Sequence, residues 1–146
     1  MKKYFALGAL IIGIFSIWFY SQHPLQPTVT VHNVTFFVDV AVTPKEKEIG
    51  LGNRPSLAPY QGMLFAYDHR EMYSFWMKNM RFPIDILWIA DRTIVDITQH
   101  VPVTDATDGK LPIYRPNVPV DKVLELPAGT VDRVGIIIGD IITIKS

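Results

Sequence analysis

The sequence contains no cysteine. That removes disulfides, thiolate metal sites and thiol nucleophiles together. It leaves the compartment open, because exported domains of this size can do without disulfides. Excess charge of either sign is missing too, with 14 Lys and Arg against 14 Asp and Glu and no basic run. Nucleic-acid binding depends on a basic stripe, so no nucleic-acid partner is expected. Ser74 lacks the Gly-x-Ser-x-Gly elbow of a serine hydrolase. The four histidines, His23, His32, His69 and His100, show no ligand spacing. Asp105 and Asp108 beside Gly109 lack the acidic ladder of a calcium loop. His69-x-x-Met72 and Met77-x-x-Met80 offer soft ligands, but methionine is more often core filler. No metal and no cofactor are expected. No internal repeat is visible.

What is present begins with a long apolar run. Met1-Lys2-Lys3 is followed by Tyr4 to Tyr20, uncharged and almost wholly apolar. At about 1.5 Å per residue, such a helix just spans a hydrocarbon core. It ends in Ile17-Trp18-Phe19-Tyr20. Bulky aromatics suit an interfacial belt better than a signal-peptidase site, which wants small residues. The expectation is a retained signal-anchor over residues 1–21, with cleavage to a secreted or periplasmic form as the alternative. Lys2 and Lys3 would stay cytoplasmic, leaving the rest outside the cytoplasm. The membrane partner is then residues 4–20. Residues 22–28, with Pro24 and Pro27, form a short stiff linker. Residues 29–146 are one domain.

Within that domain β patterning dominates. Val34, Phe36, Val38, Val40 and Val42 recur at period two, giving one strand over 28–42 or two broken near Asn33. Thr43-Pro44-Lys45-Glu46 is a capping box with proline at the first helical position. The helix it starts ends near Gly50 to Gly52. Gly62 to Tyr67 is a strand, Asp68 to Glu71 a charged turn and Met72 to Met77 another strand. Ile84 to Ala90 and Thr93 to Thr98 form a hairpin about Asp91-Arg92. His100 to Pro119 is a proline-bearing loop, long for so small a domain. Lys122 to Leu126 is a strand, Thr130 to Gly135 a helical turn stopped by glycine, and Ile141 to Lys145 the last strand. With no βαβ rhythm, the expected fold is mainly β: an antiparallel sandwich or partly closed barrel with two short helices.

Candidate function concentrates around Ser74-Phe75-Trp76-Met77-Lys78-Asn79. The same chain carries Gly50-Leu51, Arg54, Leu57, Gly62-Met63-Leu64-Phe65, Pro83-Ile84-Asp85-Ile86, Pro112, Tyr114, Leu124-Glu125-Leu126, Ala128-Gly129 and Gly139-Asp140. In this order and spacing the chain resembles domain-of-unknown-function family 192, over about Val38 to Ile144. The resemblance implies a compact, largely β domain, usually behind an export signal, and no established reaction. Many relatives place cysteines in the long loop, one of them just before the proline matching Pro112, where this chain has Leu111. They also have Thr where this chain has Met80.

If Met72 to Lys78 is extended, Met72, Ser74, Trp76 and Lys78 share one face, and Tyr73, Phe75, Met77 and Asn79 the other. Asp85 shares its side with Leu87 and Ile89, and Glu125 lies opposite Leu124 and Leu126. Carboxylates in such apolar settings need partners, and Lys78, Arg54 and Asn79 are the nearest by motif. Three readings follow. The ligand reading takes Trp76 as a stacking face and Lys78 as a charge. Arg54, Asn79, Asp85 and Glu125 then supply directional hydrogen bonds, and Tyr114 a lid. The partner would be a small polar or anionic component of the cell envelope. The enzyme reading is a hydrolase with Asp85 and Glu125 as acid and base. The third is a structural or partner-docking module in which Lys78 and Asp85 only lock a loop.

Overall fold

The computed structural model describes residues 26–104 and 111–146. The anchor expected over 1–21, most of the linker and the Asp105–Asp108 region lie outside these residues. Among the described residues no helix is long and apolar enough to cross a membrane. They form seven strands and two short helices in the order β1 (Thr28–Val31), β2 (Val34–Ala41), α1 (Pro44–Ile49), β3 (Gln61–Glu71), β4 (Ile84–Ala90), β5 (Thr93–Val101), β6 (Val120–Pro127), α2 (Thr130–Val134) and β7 (Ile142–Lys145).

The strands make one sheet in the order β5-β4-β6-β3-β2-β1-β7. The sandwich branch of the expectation is therefore wrong. The sheet curls until its two outer strands touch. Ile94 N donates to Asp140 O, Gly139 N to Ile94 O and Ile142 N to Arg92 O, at 2.8 to 2.9 Å. The fold is a mainly β half-barrel.

One pairing is parallel, β2 with β3, and α1 is the crossover between them. The other pairings are antiparallel, as the lack of a βαβ rhythm predicts, and this single βαβ unit is the exception. A strand that reverses through a helix returns in its first direction, and the capping box starts that helix. Thr43 Oγ1 accepts from Glu46 N at 3.2 Å, and the Glu46 carboxylate accepts from Thr43 N at 2.9 Å. Those bonds hold the Glu46 carboxyl below its ordinary range. Thr43→Ala should cost about 1 kcal/mol in thermal unfolding.

Two further expectations shift. Asp68 to Glu71 is not a turn but the end of β3, which rejoins β6 beyond an irregularity between Ala66 and Glu71. Met72 to Met77 is not a strand of the sheet. Only Phe75 pairs, through a bridge to Tyr114. The segment instead lies over one face of the sheet, where Phe75 packs edge-on to Phe65 and Trp88 with centroids 4.9 and 5.4 Å apart.

Each face of the sheet has its own core. All seven strands supply the first, including Phe36, Val38, Leu64, Leu87, Ile94, Leu124 and Ile142, with Val131 of α2 beneath them. This is the interior of the curl. The second comprises Met63, Phe65, Ile86, Trp88 and Val123 of the sheet, covered by Phe75, Met77 and Met80. Met77 and Met80 are thus both core residues, buried under the crossing segment. Strand β4, one in from the edge, is buried on both sides from Ile84 to Ile89.

Candidate functional site

The crossing segment and α1 stand apart on the second face and leave a cleft of about 300 Å³ between them. One wall is Lys47, Glu48 and Ile49 of α1 with the turn that follows. The other is Ser74, Trp76 and Lys78. Phe65, Tyr67 and Glu125 form the floor. The walls meet at Gly52. A side chain there would lie 2.9 Å from Ile49 O and 3.2 Å from Lys78 O, so only glycine allows this approach. Asn53 N donates to Asn79 O at 2.8 Å and ties the same junction. Asn79 has φ 59°, a left-handed conformation that asparagine tolerates better than most residues.

The outer wall alternates as the sequence predicts, although it is not a ladder strand. Phe75 and Met77 are buried, while Trp76 is 47% exposed and Lys78 is exposed. Two backbone hydrogen bonds of 2.9 Å between Phe75 and Tyr114 hold this orientation. Arg115 Nε donates to Ser74 Oγ at 2.8 Å one step along. The two rim lysines lie over aromatic rings. Lys47 Nζ is 4.1 Å from the centroid of Tyr67, and Lys78 Nζ is 5.9 Å from that of Trp76. Tyr67 stacks on Tyr73 with centroids 3.5 Å apart. Burial pushes the Tyr67 phenol upward, with Tyr73 and Glu125 adding to the effect.

Glu125 is the unusual group. It is 6% exposed and lies between Met63 of β3 and Ile86 of β4 in the sheet register. No hydrogen bond to its carboxyl forms among the described residues, and since no fully buried polar atom there lacks a partner, its oxygens open onto the cleft. Burial drives its pKa up to about 8, against a smaller opposing pull from Arg54. At neutral pH it is mostly a carboxylic acid, able both to donate and to accept a hydrogen bond.

Of the seven residues expected from sequence, Trp76, Lys78 and Glu125 converge on the cleft. Arg54 stands beside it with its guanidinium on Asp39, 2.6 Å away. Asn79 lines a shallower neighbouring depression with Lys45 and Asn53. Tyr114 is no lid. Its backbone holds the wall and its ring packs against the second core. Asp85 is elsewhere. It pairs with Leu126 while Glu125 pairs with Ile86, so the two carboxylates point to opposite faces of the sheet. Asp85 accepts backbone hydrogen bonds from His100 and Val131 instead. This overturns the Asp85–Glu125 acid/base pair and the Lys78–Asp85 network alike.

Lys78 takes part in no ion pair among the described residues. Lys78→Met should therefore change the unfolding free energy by no more than about 0.5 kcal/mol. A loss above 1 kcal/mol would restore a structural role. Among the described residues, no three His, Asp or Glu side chains gather as a metal site.

Sequence reasoning missed Lys47 and Tyr67. The period-two link from Phe65 to Tyr67 was available for the tyrosine. Lys47 enters only through the α1 crossover, which no local pattern announces.

Comparison with known proteins agrees with the fold. No curated protein matches the sequence. The crystal structure of a proposed transcription regulator from Sinorhizobium meliloti is similar, at 38% identity and a TM-score of 0.69. The match covers 81% of this chain and 91% of that one. A protein of unknown function from Novosphingobium aromaticivorans is similar at 29% identity and a TM-score of 0.71, covering 83% and 89%. The family model DUF192, described as "Uncharacterized ACR", matches residues 27–144, which take in all of the strands but the last residue of β7, both helices and the whole cleft, and the chain belongs to that family.

Proposed function

We propose that this domain is held outside the cytoplasm by residues 4–20 and that its cleft binds a small polar or anionic component of the cell envelope. One observation carries the binding reading: half-exposed Trp76 lines the wall of a cleft whose floor holds a largely buried acid with no hydrogen-bond partner among the described residues. Large aromatics left open to water beside a few convergent polar groups are the usual make-up of a small-ligand site. The rim ammoniums of Lys47 and Lys78 favour anions. Transcription regulation, the role proposed in the description of the Sinorhizobium relative, would find little support here if it needed direct DNA binding, since the chain has zero net charge and no basic run.

The test is a thermal-shift screen of the full-length protein in detergent against envelope sugars, short peptides and phosphorylated polyols. At least one class should raise the melting temperature. Trp76→Ala should weaken that ligand by about tenfold or more while leaving the unliganded protein folded. A screen in which nothing shifts the wild-type protein removes the reading. The anchor is tested separately by the mass and membrane retention of the mature protein, and cleavage near Ser21 would contradict it.

A further inference from the structure

The ligand class can be narrowed from the chemistry of the cleft, on the assumption that it binds a small ligand at all. Its volume of about 300 Å³ is at the lower end of small-ligand sites and holds one ring rather than a chain. Its wall is a flat aromatic face, Trp76, open over about half its surface. At the mouth, Lys47 and Lys78 outnumber the single carboxylate of Glu48. Lys47 already sits over the Tyr67 ring, so that position for a ligand ammonium is taken by the protein's own cation, while Lys78, 5.9 Å from the Trp76 centroid, is at the outer limit of such contact. On the floor, Glu125 has no hydrogen-bond partner among the described residues, yet it is more than nine-tenths buried and lines the cleft. A group that can donate and accept at once is best met by a hydroxyl, which does the same.

We infer that the cleft selects an acidic monosaccharide, a polyhydroxylated ring bearing one carboxylate, with the carboxylate at the lysine rim, an apolar ring face on Trp76 and a ring hydroxyl on Glu125. A neutral sugar leaves the rim without a counter-charge. An amino sugar brings a third ammonium against two.

The same arrangement makes binding sensitive to pH. The ionisable groups facing Glu125 are Tyr67 of β3, Lys47 and Glu48 of α1, Arg54 in the following loop, and Lys78 on the crossing segment. Of these, only Arg54 pulls the Glu125 pKa down appreciably, and burial outweighs it. Above about pH 8 the floor acid ionises. The ligand carboxylate then meets a buried negative charge, and the hydroxyl loses its donor.

The experiment is isothermal titration of the full-length protein in detergent with glucuronate, galacturonate, glucose and glucosamine, at about pH 6.5 and about pH 9. A hexuronate should bind at least about tenfold tighter than glucose at the lower pH, glucosamine should not bind, and uronate affinity should fall about tenfold at the higher pH. Glu125→Gln, checked for folding by its melting curve, should keep uronate binding at the lower pH and lose the fall. The double change Lys47→Met and Lys78→Met should erase the preference for uronate over glucose. Glucose or glucosamine binding as tightly as either uronate overturns the ligand class and leaves the cleft reading standing. Uronate affinity unaltered by pH overturns the role of Glu125. If neither these sugars nor any compound of the wider screen binds, both the ligand class and the cleft reading fall.

Discussion

Replacing Asp85 with alanine is expected to destabilise the domain by about 3–5 kcal/mol, lowering its melting temperature by on the order of 10–20 °C. The side chain is fully buried in β4. Its two oxygens serve two separate pieces of chain. Oδ1 accepts from His100 N and Oδ2 from Val131 N, both at 2.9 Å. His100 sits near the end of β5 with φ 52°, and its amide cannot simply turn elsewhere. Val131 lies in the first turn of α2, whose N-cap is Gly129 and supplies no capping side chain. A distant aspartate thus does what a serine or aspartate at the cap would otherwise do. Alanine leaves both amides without a partner; the buried Val131 N–H costs about 1–3 kcal/mol, the part-buried His100 N–H somewhat less, and the loss of two charge-assisted bonds makes up the rest. Asparagine keeps one acceptor but turns its NH₂ toward a second donor, so Asp85→Asn should lose somewhat less. Amide exchange at Val131 and His100 should quicken in both variants. An Asp85→Ala protein within 1 kcal/mol of the parent would refute this role.

Asp85 also shows where the sequence ceased to be informative. Period-two reasoning correctly put it beside Leu87 and Ile89, and placed Glu125 opposite Leu124 and Leu126. Choosing partners needed more: which strands are neighbours, and in what register. That β4 and β6 pair with Asp85 against Leu126 is a contact between residues 41 apart in sequence. Nothing local encodes it, so the nearest cation in the motif, Lys78, was assigned in error. Features closed by a few residues were legible for the opposite reason. The capping box at Thr43, the turn at Asp91-Arg92, the break between β1 and β2, and the glycine stop after α2 are each set by local sterics and short hydrogen bonds. The crossing segment lies between these cases. Its alternation was readable, and its departure from the sheet was not, because both arrangements bury Phe75 and Met77.

Stability should also fall with rising pH, and Glu125 is the cause. Its pKa is about 8 in the folded domain against 4.5 for the unperturbed group. The folded state therefore holds a proton that the unfolded chain releases. The sign follows directly. Below about pH 4.5 both states are protonated and the full stability is present. Between about 4.5 and about 8 the unfolded chain binds fewer protons, and stability declines by up to about 1.4 kcal/mol per pH unit. Above about pH 8 this contribution has levelled off. The total amounts to several kcal/mol, and the group is buried enough that solvent screening reduces it little. Glu125→Gln should flatten the slope and be more stable than the parent at about pH 8. Chemical denaturation across about pH 5 to 9 measures both. A parent curve that rises steadily through this window, with no difference in the variant, would show Glu125 ionised in the folded protein.

The contact between the outer strands has a consequence for life at high concentration. A sheet normally ends in two rows of unpaired amides and carbonyls, and these are templates for a foreign strand. Here the sheet bends until β5 and the approach to β7 share hydrogen bonds through Ile94, Gly139 and Asp140. Part of each margin is occupied by the other. The domain thereby protects itself against edge-to-edge self-association without a disulfide, and cutting that seam should show first as aggregation rather than as loss of the cleft.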